Sequence, residues 1–287
     1  MEEIRTKRPG GRTFSFILGL VYLAGICIMA YPAVSDWRNR MHAGQAVQKY
    51  EVQVKELSEA EIQEILGEAR AYNKALKENP DPWSEKSRTP GYTEALRTER
   101  SGIMGCVMIE KIRVRLPFYH GTEEDVLQRA VGHVEGSSLP TGDKGGHAVL
   151  SAHRGLPSAK LFTDLPELAS GDTFVITVLN KEMIYEVDQI LTVLPDSPEV
   201  LEALGPVPGE DLVTLMTCTP YGINTHRLLV RGHRTGDVVH SEKEGGSGGN
   251  EENGISFDRY IPFAAAAALV IFLLLWFLPV GKKNAHK

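Results

Sequence analysis

The sequence predicts a mainly β domain, folded as a sandwich or a closed barrel, that follows a helical region and has an apolar helix at each end of the chain. Three observations carry this prediction. Residues 101–235 contain many short β-like runs separated by Gly, Pro, Asn and Asp. Residues 33–78 have helical periodicity, and residues 13–31 and 260–280 are uncharged and apolar. The remainder of the 287 residues is enough for one ordinary domain with an appendage.

Both apolar segments are long enough to cross a bilayer as helices. The first has 19 residues and the second 21, and basic residues flank them on the outer sides, namely Arg5, Lys7, Arg8, Arg12, Lys282, Lys283 and Lys287. The positive-inside rule predicts that the tails 1–12 and 281–287 are cytoplasmic and that residues 32–259 lie outside the cell membrane. A cleaved signal peptide is the alternative for the first segment, but its apolar core is unusually long and no small-x-small cleavage site follows it.

The region 32–100 is predicted to be helical and to end in an irregular arm. Ser58 and Glu61 have the spacing of a capping box. Apolar residues then recur at helical spacing, namely Ile62, Ile65, Leu66, Ala69, Tyr72 and Leu76. Pro80 and Pro82 must stop this helix, because proline has no amide hydrogen and restricts the residue before it. Residues 79–100 are therefore expected to form a loop or an ordered arm.

The β-like part of the chain contains seven candidate strands, at residues 103–110, 112–119, 147–153, 173–179, 183–193, 212–218 and 227–231. Short helices are predicted at 123–130 and 198–204, the second with Ser197 as its N-cap and Pro198 at its first position. Many short strands with few helices are typical of a sandwich or a barrel. After residue 235, the Gly-rich and charged segment 236–259 predicts a flexible linker.

Three cysteines bear on function. Cys27 lies in the first apolar segment, and Cys106 lies in an apolar strand, where it is expected to be a small core residue. Outside the cell, Cys106 and Cys218 could form a disulfide, or Cys218 could be a free reactive thiol. Cys218 ends one predicted strand and Arg227 begins the next, so a hairpin would bring both to the same rim, where a cation stabilises a thiolate.

A histidine could complete this site. His153 ends the predicted strand 147–153 and could meet Cys218 in space, and thiol chemistry at a carbonyl needs such a proton carrier and an oxyanion donor. Arg231 has the same strand parity as Arg227 and is its rival as donor. A lone Cys and a distant His often occur by chance, so these residues support an acyl-transfer enzyme only weakly.

Other chemistry finds less support in the sequence. The net charge of −6, with both signs interspersed, argues against a nucleic-acid partner. Cys218, His226 and His233 have no common zinc spacing, so neither a metal nor a cofactor is predicted.

Residues 101–234 resemble the catalytic domain of the sortases, specifically the class C, pilus-assembling type. In chain order, the motifs that carry the resemblance are KI at 111, LPFYHGT at 116, GH at 132, SAHRG at 151, LFTDL at 161, TCTPY at 217 and NTHRLLVRG at 224. The resemblance implies an eight-stranded barrel over residues 101–235, with His153, Cys218 and Arg227 as catalytic residues.

The same resemblance implies a substrate and a lid. A sortase of this class cleaves an LPXTG-like sorting signal after Thr, through a thioester, and joins the acyl group to a pilin lysine. Its partners are thus LPXTG-bearing surface or pilin proteins at the membrane. Asp81, Pro82 and Trp83 match a lid motif within residues 79–90. Asp81 would contact the Cys218 and Arg227 region, and Trp83 would pack over the thiol.

Several alternatives stay open beside this hypothesis. The acceptor amine could belong to a cell-wall precursor, as in a housekeeping sortase. The chain could also be a catalytically inactive assembly module, and the Asp-Pro-Trp motif could simply terminate a helix. A papain-type protease is disfavoured, because the residues around Cys218 do not match that family.

Overall fold

The structure, a computed structural model, describes residues 11–84, 87–98 and 102–238, with the backbone alone for residues 11–16. The chain divides between Val34 and Ser35 into two units. The predicted segment 260–280, the tail 281–287 and the linker beyond residue 238 lie outside the described residues. The same holds for residues 1–10.

The described part of the first unit is the beginning of α1, Gly11–Glu56. Among the described helices, α1 alone is long and apolar enough to cross a membrane, with a mean hydropathy of 2.1 in an 18-residue window of which nothing is buried. Large apolar side chains are exposed along it, including Ile17, Leu18, Val21, Ile28 and Met29. A lipid-facing helix presents this kind of surface, which is consistent with the predicted span at residues 13–31.

The second unit contains a closed barrel of eight strands. These are β1 (Ile103–Ile109), β2 (Val114–His120), β3 (Val131–His133), β4 (Gly146–Ser151), β5 (Thr173–Val178), β6 (Lys181–Val193), β7 (Asp211–Thr219) and β8 (His226–Asp237). Their order around the barrel is β1-β2-β3-β4-β7-β8-β6-β5, and β5 closes onto β1. The pairs β2–β3 and β4–β7 are parallel and the others are antiparallel. The sequence prediction of a mainly β fold is confirmed, and the fold is a barrel.

The predicted elements are largely confirmed, with differences at their ends. The helical region consists of α1 and α2 (Glu59–Glu78), and Ser58 and Glu61 form the predicted capping box. Two short helices follow, α3 (Glu124–Leu127) and α4 (Pro198–Leu204). The sequence missed β3, because a strand of three residues is too short for a period-2 pattern to stand out. Strand β4 ends at Ser151, so the prediction that it extends to His153 was wrong by two residues.

The core fills the barrel and continues beneath the helices. Side chains such as Phe118, Leu150 and Val213 are fully buried in it. Tyr50 of α1 joins the helical region to β1 and to the turn between β5 and β6: its hydroxyl donates to the Met104 carbonyl at 3.1 Å and accepts from the Leu179 amide at 2.7 Å. Because both groups are buried backbone atoms, this tyrosine satisfies polar groups that would otherwise be costly to bury.

A second, smaller apolar cluster lies on the outside of the barrel. Ala148 and Leu150 belong to the main core, whereas Val149 between them does not. Since successive strand side chains point to opposite faces, Val149 faces outward. This outer cluster consists of Val149, Val193, Leu204 and Leu229, with Trp83, Val134, Leu191, Val200, Ala203 and Met216 packed partly buried against it.

His133 of β3 is a fully buried histidine that is held in its neutral form. One ring nitrogen, Nε2, lies 2.9 Å from the Ser138 carbonyl, which can only accept, so Nε2 carries the proton. The other, Nδ1, lies 3.0 Å from the Tyr92 hydroxyl. Burial lowers the pKa of His133 from 6.5 to about 4.

We expect this histidine to make the barrel acid-sensitive. Below pH 6.5 the unfolded chain takes up a proton at His133, whereas the folded chain does not until about pH 4, so stability falls as the pH decreases through this window. At pH 5 the loss should be about 2 kcal/mol. Urea unfolding at several pH values should show it, and a His133→Gln variant should have a flatter profile. Equal unfolding free energies at neutral pH and at pH 5 would contradict this expectation.

Candidate active site

Cys218 and Arg227 lie directly opposite each other on the hairpin β7–β8. The two residues are paired in the antiparallel register, near the end of β7 and the start of β8. Between the strands, the amides of Ile223 and Asn224 both donate to the Pro220 carbonyl, at 3.1 and 3.0 Å, which closes the turn. Opposite residues of an antiparallel pair have Cβ atoms roughly 5 Å apart. The prediction that Cys218 and Arg227 lie at the same rim is confirmed.

Both side chains are on the outer face of the barrel. Cys218 has the same parity as Met216, and Arg227 the same parity as Leu229, and both of those residues contact or belong to the outer cluster. Cys218 is a free, half-buried thiol, and Arg227 is half-buried as well. The thiol is therefore at the surface of the barrel, beside an apolar patch.

His153 reaches the level of Cys218 through the parallel pairing of β4 with β7. Ser151 is paired with Met216, and one residue further the Ala152 amide donates to the Met216 carbonyl at 3.1 Å. The next residue, His153, is thus level with Cys218. Its Nε2 lies 3.8 Å from Oε2 of Glu124, which is an exposed residue of α3. The three residues predicted as catalytic thus lie at one rim of the barrel.

The arginines of β8 differ in their partners. Arg231 forms a bidentate ion pair with Asp188, at 3.1 and 2.8 Å. Within the described residues, Arg227 donates to two nearby carbonyls, those of Asn224 and His226, at 3.4 and 3.3 Å, and no carboxylate there pairs with it. Arg227 therefore keeps donors available for a ligand, whereas its rival Arg231 is already committed.

Cys106 has the opposite environment to Cys218. It is 5% exposed in β1, and burial raises the pKa of its thiol to about 12, which disfavours the thiolate. Cys27, Cys106 and Cys218 are all free, so the possible Cys106–Cys218 disulfide is not formed. The expectation that Cys106 is a small buried residue is confirmed.

Comparisons with known proteins agree with this architecture. A family model described as the sortase domain matches residues 107–235. Sortase D of Bacillus subtilis is 30% identical over 143 residues, which cover 49% of this chain and 68% of that protein. The crystal structure of sortase C1 from Streptococcus agalactiae is 46% identical with a TM-score of 0.62, and the match covers 67% of this chain and 98% of that one.

This chain belongs to the sortase family. Another solved structure, sortase C1 of GBS Pilus Island 1, is 42% identical with a TM-score of 0.62, over 70% of this chain and 96% of that one. The sortases are cysteine transpeptidases, and these structural relatives identify the chain as a class C sortase.

In this sortase, hydrogen bonds to the Ala152 and His153 carbonyls fix the start of the loop that carries His153. The hydroxyl of Thr217, which is buried, donates to the Ala152 carbonyl at 2.7 Å. The His153 carbonyl accepts from the Phe162 amide at 3.2 Å. In the sequence Thr217 is only the first residue of the TCTPY motif, since no pattern in a sequence indicates which carbonyl a hydroxyl will reach.

Helix α1 also contacts this loop. The Ser35 hydroxyl donates to the Ser158 carbonyl at 3.0 Å, and Oδ1 of Asp36 accepts from the Lys160 amide at 2.7 Å. These contacts join the first residues of the second unit to the loop between β4 and β5, and nothing in the sequence patterns indicated them.

The predicted lid is a loop closed at its base by Asn79. The Asn79 side chain donates to Thr89 at 3.1 Å, and its Oδ1 accepts from the Asp81 amide and from the Ser87 hydroxyl, each at 3.0 Å. The two ends of the loop, at Asn79 and Thr89, therefore lie close together.

Trp83 and Asp81 occupy different environments within this loop. Trp83 packs on the outer cluster, and a Cβ on Gly136 would come within 3.0 Å of its ring. Trp83 thus lies on the outer face of the barrel near Gly136 and His147, and no contact between Trp83 and Cys218 is found among the described residues. The Asp81 carboxylate is exposed and, within the described chain, forms no ion pair with Arg227, so the predicted Asp81–Arg227 contact is absent from this structure.

We expect Thr217→Val to destabilise the barrel, because valine keeps the shape of threonine but leaves the buried Ala152 carbonyl without its donor. The cost should be about 1–3 kcal/mol in the free energy of unfolding. Thr217→Ser, which keeps the hydroxyl, is the matched control and should stay near wild type. Chemical denaturation of the three proteins measures both; a valine variant as stable as the serine variant would refute the role of this bond.

Proposed function

We propose that this sortase joins pilin subunits by transpeptidation, with Cys218 as nucleophile. The observation that carries the proposal is the cross-strand pair of Cys218 and Arg227, with His153 level with them on the neighbouring strand. A nucleophile, a proton carrier and an oxyanion donor are the parts that acyl transfer needs. The similarity to sortase C1 of GBS Pilus Island 1 supports a pilin as the acceptor.

The first half-reaction forms an acyl-enzyme. Cys218 gives its thiol proton to His153 as Sγ attacks the Thr carbonyl of an LPXTG-like sorting signal, and the Arg227 guanidinium donates hydrogen bonds to the oxyanion. The Thr–Gly C–N bond then breaks, His153 gives a proton to the leaving amine, and a thioester between Cys218 and Thr remains.

The second half-reaction transfers the acyl group. A pilin lysine amine attacks the thioester carbonyl and loses a proton to His153, and the C–S bond breaks. His153 passes this proton to the leaving sulfur, so the products are an isopeptide bond between two subunits and the free thiol of Cys218. Neither half-reaction requires a cofactor.

Membrane anchoring fits this substrate. We propose that α1 holds the enzyme in the membrane with the barrel on the extracellular face. A substrate that waits in the same membrane is then confined near the enzyme, and its effective concentration rises without any additional contact.

The experiment that tests this function uses the full chain in detergent with an LPXTG peptide and intact-mass detection. We expect a mass increase that corresponds to the thioester, absent from Cys218→Ala. Arg227→Ala should lower the rate of acylation by about 10²–10³-fold, the typical cost of an oxyanion donor. Arg231→Ala, a matched arginine on the same strand that is paired with Asp188, should acylate at nearly the wild-type rate.

The acceptor is tested separately. Purified pilin and an amine from a wall peptide are offered to the acyl-enzyme in parallel. Lysine-linked pilin multimers support the proposal, whereas products with the wall amine alone indicate a housekeeping sortase. No thioester in any arm, with intact folding, indicates an inactive assembly module.

A further inference from the structure

Arg154, the residue after His153, bridges two segments that leave the barrel at the active-site rim. Its Nη1 donates to Oγ1 of Thr219 at 2.9 Å, and its Nε donates to the Thr163 carbonyl at 3.2 Å. Thr219 is in turn the residue after Cys218. One side chain thus connects the immediate neighbours of the two groups that must react together.

The same contact zone includes an aromatic ring. The guanidinium carbon of Arg154 lies 5.9 Å from the centroid of the Tyr221 ring, a cation–π distance. A Cβ on Gly155 would approach this ring within 3.0 Å, so the ring packs directly on the Gly155 backbone. The Gly155 amide also donates to the Thr163 hydroxyl at 3.2 Å. The turn after Cys218 and the loop after His153 are therefore packed together.

This bridge matters because the strand ladder stops short of His153. Strand β4 ends at Ser151, so pairing with β7 does not by itself fix the backbone of His153. Thr217 holds the residue before His153, through the Ala152 carbonyl. Arg154, the residue after His153, is held by its own bonds to Thr219 and Thr163. The backbone is therefore fixed on both sides of His153, against the strand that carries Cys218.

An arginine suits this task better than other residues. Its planar guanidinium presents several donors in a fixed geometry, so one side chain can bind acceptors on two segments at once, whereas lysine offers one flexible ammonium. In the described part of the chain, no carboxylate forms an ion pair with Arg154, so its hydrogen bonds go to Thr163 and Thr219.

We propose that Arg154 is a positioning residue that fixes His153 against Cys218 through its bonds to Thr219 and Thr163. The inference rests on the proposed roles of His153 and Cys218. It assigns to Arg154 no contact with the reacting atoms. Losing the bridge should displace the imidazole relative to the thiol, and a displacement of about 1 Å costs roughly 10²-fold in rate.

The test uses two readouts on the full chain in detergent. The first is alkylation of Cys218 by iodoacetamide at neutral pH, followed by intact mass with Cys218→Ala as the blank for the other two cysteines. It needs no peptide, because an imidazole held beside the thiol promotes the reactive thiolate. The second is thioester formation at saturating and subsaturating LPXTG peptide, which separates the maximal rate from peptide binding.

The variants are Arg154→Gln, Arg154→Lys, Thr219→Val and Thr219→Ser. We expect Arg154→Gln to slow acylation at saturating peptide by roughly 10²-fold with an unchanged half-saturating concentration. Arg154→Lys should recover part of this loss. Thr219→Val should slow the reaction in the same way, and Thr219→Ser, which keeps the hydroxyl, should react like wild type. Arg231→Ala controls for the loss of a positive charge from the outer face of the barrel.

The decisive comparison is made in a His153→Ala background. If Arg154 acts through His153, adding Arg154→Gln to His153→Ala should reduce alkylation no further, since the group that it positions is already gone. An additional full loss in this background would overturn the inference, as would wild-type alkylation by Arg154→Gln or by His153→Ala alone.

The two readouts also separate this inference from the proposed function. If the wild-type protein shows the expected alkylation pattern but never forms a thioester, the transpeptidase proposal is wrong and the positioning role of Arg154 stands. If thioester formation is unaffected by Arg154→Gln and Thr219→Val, the transpeptidase proposal stands and the positioning role of Arg154 is wrong.

Discussion

Strand β7 is paired on one side with β4 in parallel and on the other side with β8 in antiparallel, and the register of these two ladders determines where His153, Cys218 and Arg227 lie. The core holds that register, because Val213 and Leu215 fill the barrel while Met216 and Cys218 point outward. A slip of one residue would reverse every side chain of the strand and turn the thiol into the barrel. The position of the thiol is thus a consequence of core packing.

The outward face of these strands is itself partly apolar, so other parts of the chain must shield it from water. A sheet face with Val149 and Leu229 on it must be covered or remain exposed to water. Here α4 supplies Leu204 and the loop after α2 supplies Trp83, so two segments from distant parts of the chain meet over one patch. The patch extends toward Cys218 through Met216, which has the same strand parity as the cysteine.

The sequence predicted much of this arrangement and missed the parts that depend on individual contacts. Strand-like runs and turn residues predicted seven of eight strands, because period-2 patterning is a local property. The resemblance to the sortases implied the full barrel and the grouping of His153, Cys218 and Arg227. The predicted contact between Asp81 and Arg227 is absent, and the ion pair of Arg231 with Asp188, which favours Arg227 as the available donor, was not predicted. Such pairings join residues far apart in the chain, so no local pattern contains them.

The contacts of Ser35 and Asp36 with the loop of His153 bear on how a soluble form of the enzyme should be prepared. A truncation that removes the membrane helix and begins at Ser35 retains the bonds to Ser158 and Lys160. One that begins five residues later loses both, yet keeps the barrel and Tyr50. Such a shortened protein could fold normally and still hold its histidine loop less firmly, so weak activity in it would say little about the intact enzyme.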